Sequence, residues 1–279
     1  MTDAVLTLND GKRIPQLGFG VWRLENDEAP AIVGAALEAG YRSIDTAAVY
    51  GNEAGVGRAI AASGLERDEI FVATKVWNDR HGYDETLRAC EESLARLCLD
   101  HVDLYLVHWP VPQRGAYVDT WRALMRLRED GRARSIGVSN FQPAHLDRIV
   151  AETGVVPAVN QIEVHPYFTN EDARAASARH GVAVEAWSPI AQGAVLDDET
   201  IGKIAAAKGR TASQVTLRWH VQRGDIVFPK SMRRERMEEN FAIFDFELSA
   251  EEMAAISGLD RGEAGRTGPN PDVFDYVPE

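Results

Sequence analysis

Short apolar runs of strand length take turns with amphipathic helical stretches from residue 17 to residue 257, and this alternation constrains the chain more than any other feature. Strands are expected at 17–20, 41–45, 70–75, 102–108, 135–138, 158–162, 183–187 and 226–228. Helical periodicity covers 28–39, 53–63, 83–97, 118–130, 145–152, 171–179, parts of 199–222, 234–241 and 250–257. Strands that alternate with helices build a parallel sheet, since each helix returns the chain to the same edge. About eight such units in roughly 250 residues is the size of a (β/α)8 barrel. Apolar runs at 4–8 and 14–17 flank Asn9-Asp10-Gly11, a good hairpin signal. The expected fold class is therefore α/β: a (β/α)8 TIM barrel with an N-terminal β-hairpin and a short C-terminal tail. Residues 1–279 would form a single barrel domain.

A doubly wound open sheet is the rival architecture. It needs GxGxxG in its first strand–helix turn and an acidic ribose ligand further on. Gly18 and Gly20 supply two glycines, but Arg23 stands at the third position and no acidic residue is suitably placed.

Charge narrows the partners. The net charge of −13 argues against nucleic acid and against an anionic membrane surface, both of which need a basic face. No apolar run approaches membrane-spanning length, and the N-terminus lacks the apolar segment of a secretion signal. A cytoplasmic protein is expected. Cys90 and Cys98, eight positions apart in one expected helix, read as two reduced thiols. No metal-ligand spacing such as CxxC or HExxH occurs, so no metal is expected.

In such a barrel, chemistry sits where strands end. The strand at 41–45 ends in Asp45, the strand at 70–75 in Lys75, and the strand at 102–108 in His108; Tyr50 follows Asp45 by five residues. Singly, each has an ordinary reading: a helix cap, a solvated loop lysine, a structural histidine. Their convergence on one rim favours a site. A tyrosine is a weak acid, and a neighbouring ammonium lowers its pKa. Lys75 can supply that charge, Asp45 can hold Lys75 in place, and His108 can orient a substrate oxygen with a ring N–H. The set suits protonation of a carbonyl oxygen while hydride reaches the carbon. The hydride must come from a cofactor, because no side chain carries one.

One segment is locally basic. Lys230-Ser-Met-Arg233-Arg234-Glu-Arg236 places four cations within seven residues of an acidic chain. Its ordinary reading is a solvated helix start. Its functional reading is a phosphate clamp, for which arginine offers a planar fork and lysine a point charge.

The stretch GYRSIDTAAVYGNE at 40–53 resembles the first signature of the aldo-keto reductase superfamily. The resemblance continues through LDHVDLYLVHWP (99–110), GVSNF (137–141), NQIEVHP (160–166), WSPI (187–190) and PKSMRRERMEEN (229–240), and so spans nearly the whole chain in order. With WNDRH at 77–81 and VFPKSMRRER at 227–236, the chain most resembles the prokaryotic 2,5-diketo-D-gluconic acid reductases.

The resemblance implies a catalytic tetrad of Asp45, Tyr50, Lys75 and His108, with Tyr50 as general acid. It implies NADPH as cofactor. Ser139, Asn140 and Gln161 would hold the nicotinamide carboxamide, and Trp187 would stack on the ring. Ser188, Pro189, Ile190, Gln192 and Gly193 would cover the pyrophosphate. Phe228, Lys230, Ser231, Met232, Arg233 and Arg236 would clamp the 2′-phosphate and adenine, and Glu239 and Asn240 would hold the adenine edge. Implied substrates are α-dicarbonyls, sugar-derived diketo acids or simple aldehydes such as methylglyoxal, and the implied state is a monomer. Trp22, Trp77, Asn78 and Trp109, with His108, are the expected substrate contacts. Arg114 is a further candidate for a substrate carboxylate. The short tail points to an open pocket. His81, His101, His145, His165, His180 and His220 are expected to be structural or solvated.

Two other functions fit the same fold. In one, the barrel is a redox-sensing NADP(H)-binding partner subunit, as the potassium-channel β subunits are; the sequence shows no coiled coil or large apolar run for docking. In the other, Lys75 forms a Schiff base in an isomerase or aldolase, a chemistry that needs no basic clamp.

Overall fold

The computed structural model describes residues 4–277. A hairpin of β1 (Val5–Thr7) and β2 (Arg13–Pro15) comes first. Eight parallel strands follow: β3 (Phe19–Gly20), β4 (Ser43–Asp45), β5 (Phe71–Val76), β6 (Val102–Val107), β7 (Ala133–Ser139), β8 (Val159–Glu163), β9 (Ala183–Trp187) and β10 (Ile226–Val227). Each neighbours the next in chain order. The ring closes where Leu17 bridges Val227 in parallel: Gly18 N donates to Val227 O (2.8 Å) and Val227 N to Gln16 O (3.0 Å). This is the expected (β/α)8 barrel.

The outer layer is α1 (Ala29–Glu38), α2 (Glu53–Ala62), α3 (Tyr83–Leu97), α4 (Tyr117–Glu129), α5 (Pro143–Thr153), α6 (Glu171–Arg179), α7 (Glu199–Lys208), α8 (Ala212–Gln222), α9 (Arg234–Phe241) and α10 (Ala250–Ser257). Their starts follow local chemistry. Pro143 opens α5, where its missing N–H is no loss, and Thr211 and Gln214 form a capping box at α8.

The hairpin seals the N-terminal end of the barrel. Leu8 and Ile14 pack with Ala73, Leu104, Leu106, Val159 and Ile226. Asn9 Nδ2 donates to Pro157 O (2.8 Å), and Asp10 accepts from Ser135 Oγ (2.7 Å). A plugged floor leaves the other end for function.

The structure assigns Gly18 and Gly20 a packing role. A Cβ on Gly18 would lie 2.8 Å from Phe228 Cδ1, and one on Gly20 would lie 3.0 Å from Phe228 O. The two glycines let β3 and the segment after β10 approach closely, and no dinucleotide turn of the open-sheet type is formed. Cys90 is buried in α3, but Cys98 lies just past the end of that helix and is exposed. Among the described residues, no helix is long and apolar enough to cross a membrane, and no group of three or more His, Cys, Asp or Glu could hold a metal ion.

Candidate active site

Strand register brings the tetrad together. β4 delivers Asp45, β5 Lys75, and His108 follows β6. Lys75 is fully buried and donates to Asp45 Oδ1 (2.8 Å), Asp45 Oδ2 (2.7 Å) and Thr46 O (2.8 Å). All three ammonium hydrogens are thus placed. Burial opposes the charge on Lys75, but the Asp45 carboxylate, with Tyr50 and Glu185, outweighs it and holds the pKa above the ordinary lysine value.

Tyr50 ends a short 3-10 turn, Ala48–Tyr50. The rest of the first signature braces that turn. Asn52 is fully buried, accepts from Thr46 Oγ1 (2.8 Å) and donates to Val21 O and Leu24 O (2.9 Å each). Glu53 accepts from Thr74 Oγ1 (2.6 Å) and Arg96 Nε (2.7 Å). The Tyr50 ring lies 5.8 Å from the His108 ring, edge to face, and 5.3 Å from Lys75 Nζ. Lys75 was expected to lower the tyrosine pKa. Its charge does pull that way, but burial is the larger effect and the phenol stands above its ordinary value. Tyr50 therefore keeps its proton at neutral pH.

His108 is buried, and its pKa is pushed well below the usual histidine range by burial, then by the charges of Lys75 and His81. A neutral imidazole donates from one nitrogen only. Its Nδ1 has no partner, and the Trp77 ring stacks against it edge-on at 4.9 Å.

The expected carboxamide ligands cluster beside the tetrad. Gln161 Nε2 donates to Asp45 Oδ1 (2.9 Å). Ser139 Oγ donates to Gln161 O (2.8 Å). Asn140, held at φ 62°, donates to His108 O (2.9 Å) and accepts from Trp187 Nε1 (2.8 Å), so it fixes the Trp187 indole. The loop after β9 carries Ser188, Ala191, Gln192 and Gly193, all at positive φ. Such backbone is costly outside glycine and concentrates at ligand sites.

The basic segment runs from the connection after β10 into the first turn of α9. Its four cations are not equivalent. Arg234 pairs with Glu38 and Glu238, and Lys230 Nζ donates to Arg23 O (2.9 Å). Arg233 and Arg236 are exposed and have no acidic partner among the described residues. Met232 is exposed, Ser231 is buried and its Oγ accepts from Arg233 N (3.1 Å), and Phe228 is buried. Glu239 accepts from Thr211 Oγ1 (2.6 Å), and Asn240 from Ser213 Oγ (2.8 Å), so these two also anchor α9 to α8.

The expected aromatic mouth is only partly assembled. Trp77, Trp109 and Val111 form one cluster with Trp187 and Phe274. Trp22 stands apart from that cluster, exposed, with the Arg23 guanidinium 4.1 Å above its ring. The pocket is not open as the short tail implied. Phe274 lies 4.4 Å from the Trp109 ring, and Asn78 Nδ2 donates to Tyr276 O (2.9 Å). Gln113 Nε2 and His145 reach Asp272 from the tail's other side.

Sequence reasoning missed the residue that anchors this tail. Glu163, buried at the end of β8, accepts from Thr267 N and Oγ1 (2.6 Å each), Gly268 N (3.0 Å) and His165 Nε2 (3.0 Å). Burial alone would raise its pKa; these hydrogen bonds outweigh burial and hold it low. Gly268 sits so close to Trp187 that a Cβ there would lie 2.3 Å from the indole. His165 thus has a structural place, as a partner of Glu163. His220, bonded to Asp225 and to Pro189 O (3.0 Å each), supports the loop after β9 from below. Glu185 was missed too. A charged residue in an apolar strand was the available signal for both glutamates.

A (β/α)8 barrel thus carries a tyrosine, a buried lysine–aspartate pair and a neutral imidazole together on one rim. Residues 16–261 match the Aldo/keto reductase family, and the chain belongs to that family. It is 53% identical over 273 residues to an aldo-keto reductase of Mycobacterium sp. (strain JLS), covering 98% of each chain. It is 50% identical over 273 residues to the methylglyoxal reductase DkgA of Yersinia pestis, covering 97% of each. A crystal structure of a Gox0644 variant in complex with NADPH superposes with a TM-score of 0.95 at 47% identity, covering 99% of this chain and 100% of that one.

Proposed function

We propose that this chain reduces small carbonyl compounds to alcohols with NADPH, and that Tyr50 is the general acid. The observation that carries the reading is the fully buried Lys75, held by Asp45, beside a protonated Tyr50 and a neutral His108. When bound, NADPH supplies the hydride to the carbonyl carbon. His108 donates a ring N–H to the carbonyl oxygen and orients it. Tyr50 gives its O–H proton to that oxygen as negative charge develops there. Lys75 stabilises the resulting phenolate, and Asp45 keeps Lys75 charged and in line. Trp77, Trp109, Asn78 and the tail residue Phe274 exclude water from the mouth. Trp22 would act only as an outer contact.

The residues fit the cofactor. Gln161, Ser139 and Asn140 stand beside the tetrad for the carboxamide, with Trp187 for the ring. The loop 188–193, with Ser188, Pro189, Ile190, Gln192 and Gly193, would lie over the pyrophosphate. Arg233 and Arg236, free of acidic partners among the described residues, would take the 2′-phosphate with Lys230, Ser231 and Met232. Phe228, Glu239 and Asn240 would border the adenosine. DkgA of Yersinia pestis is named a methylglyoxal reductase, which supports α-dicarbonyls as the substrate class. We further read residues 1–279 as one domain, a cytoplasmic monomer without a nucleic-acid or membrane partner.

The test follows absorbance of the reduced nicotinamide with NADPH or NADH and methylglyoxal, phenylglyoxal, a nitrobenzaldehyde or 2,5-diketogluconate. Tyr50→Phe should lose turnover roughly 10²- to 10⁴-fold while still binding NADPH. Binding without turnover on any carbonyl would favour the sensor reading, and absence of NADPH binding would overturn the clamp.

A further inference from the structure

Glu185 lies in the middle of β9, fully buried inside the barrel and paired in register with Gln161 on β8 and Ile226 on β10. Nothing in the tetrad chemistry above requires a second carboxyl there. Its Oε2 accepts from Gln161 Nε2 (2.9 Å), and its Oε1 is buried with no partner. The same Gln161 nitrogen donates to Asp45 Oδ1 (2.9 Å). An amide nitrogen has two hydrogens, so both are committed to carboxyl groups. The amide can then offer only its oxygen elsewhere, and that oxygen is an acceptor suited to an amide N–H. Without Glu185, only one of the two hydrogens would be fixed, and the amide could turn over.

We propose that Glu185 is a positioning residue: through Gln161 it sets which atom of that amide faces the cofactor carboxamide, and it joins the chain Glu185–Gln161–Asp45–Lys75 beneath Tyr50. The inference rests on the functional reading above. It also carries a charge consequence. The charged groups facing Glu185 are Asp45 from β4 and Lys75 from β5; β8 supplies the neutral Gln161 and β10 the apolar Ile226. Burial pushes its carboxyl up to about 8, the Asp45 charge adds to that, and Gln161 and Lys75 oppose it. The group is therefore mainly neutral at pH 7. Its ionisation in mild alkali places a second negative charge beside Asp45. That charge stabilises the Lys75 ammonium and disfavours the Tyr50 phenolate, which alcohol oxidation needs as a base.

Two variants separate the orienting role from the charge. Glu185→Gln keeps an acceptor for Gln161 and removes the ionisation. Glu185→Leu removes both. NADPH affinity is read by fluorescence titration, and the pH profile of kcat/KM for alcohol oxidation is read alongside. A glutamate carboxyl resonance titrating near about 8 in carbon NMR of the wild type, absent in Glu185→Gln, reports the ionisation directly. Expected are NADPH binding about tenfold weaker in Glu185→Leu and within about twofold of wild type in Glu185→Gln. The alkaline step in the pH profile should vanish in both. Persistence of that step and of the titrating resonance in Glu185→Gln would overturn the proposal, whether or not Glu185→Leu folds. A folded Glu185→Leu that binds NADPH as tightly as wild type would overturn the orienting role alone. A wild-type protein that binds no NADPH would overturn the functional reading as well, which distinguishes the two failures.

Discussion

At the N-terminal end of the barrel, Leu8 and Ile14 of the hairpin meet Ala73, Leu104 and Leu106 in an apolar plug. At the other end, β4, β8 and β9 finish in Asp45, Glu163 and Trp187, Lys75 is the penultimate residue of β5, and Glu185 is buried between them. The contrast extends to the backbone. Among the described residues, the non-glycine residues at positive φ are Arg23, Val111, Asn140, Asn170, Ser188, Ala191 and Gln192, all in connections that leave the strands' C-terminal ends, and Cys98. The turns at the opposite end rely on glycine, as at Gly131 and Gly154, where a left-handed residue closes a helix without a Cβ penalty, although glycines such as Gly51 and Gly115 also serve the rim. Positive-φ backbone outside glycine and the buried Asp45–Lys75 pair lie on the rim, while the floor holds the apolar plug, with Asp103 and Asp225 buried at strand starts against Arg67, Arg134, Arg174 and His220. Cys98, between α3 and β6, is the exception on the floor side.

Four substitutions test this division, from the largest effect to the smallest. Lys75→Met should lose at least roughly 10²-fold in turnover. It should also destabilise the fold by about 3–5 kcal/mol, because Asp45 is left buried without its partner. Denaturant unfolding beside steady-state kinetics checks both; a stable, active Lys75→Met would break the rim side of the comparison. Ile14→Ala should lose about 2–4 kcal/mol by opening a cavity under the barrel, with NADPH affinity unchanged. Altered cofactor affinity in that variant would show that the floor is not separate from the rim.

Glu163→Gln should loosen the tail and raise KM about fivefold, equivalent to roughly 1 kcal/mol of hydrogen bonding, with a smaller change in kcat. The pH dependence follows from the lowered pKa of Glu163. Its folded value lies below its unfolded value, so its contribution is present above the unfolded value and is lost as pH falls through the folded one. Tail docking, followed by Trp77 and Trp109 fluorescence, should therefore fail in acid, and Glu163→Gln should remove that step. Last, Cys98→Gly should stabilise by about 1 kcal/mol, since the left-handed φ of 54° penalises a residue with a Cβ. A thermal melt that shows a loss instead would mean that the Cys98 side chain contributes packing there.

Much of this was legible in the chain. Asp45, Lys75 and His108 could be placed on one rim because strand ends are read from where apolar runs stop, and parallel strands end on the same side. The four cations at 230–236 stood out against a chain of net charge −13. Element bounds shifted by a few residues: β7 begins at Ala133 rather than 135, since Arg134 keeps its charge by pairing with Asp68 and Asp103.

Other features depended on the packed molecule. In strands as short as β8 and β9, alternation does not say which face meets the barrel interior, so a glutamate in or beside an apolar run was a signal that could not by itself place Glu163 and Glu185 inside. The tail's seat over Trp77 and Trp109 is made by Phe274 and Tyr276, far away in sequence and without local periodicity. Trp22 and Trp109 look alike in the sequence, yet one is 44% exposed and the other 7%. The sequence by itself determined the barrel, the meeting of Asp45, Tyr50, Lys75 and His108 on one rim, and the basic segment at 230–236, because those depend on period, strand ends and local charge. Only the tertiary structure decided the covered mouth, the glutamate latch and the Glu185–Gln161–Asp45 chain, because each depends on contacts between residues tens to more than a hundred positions apart.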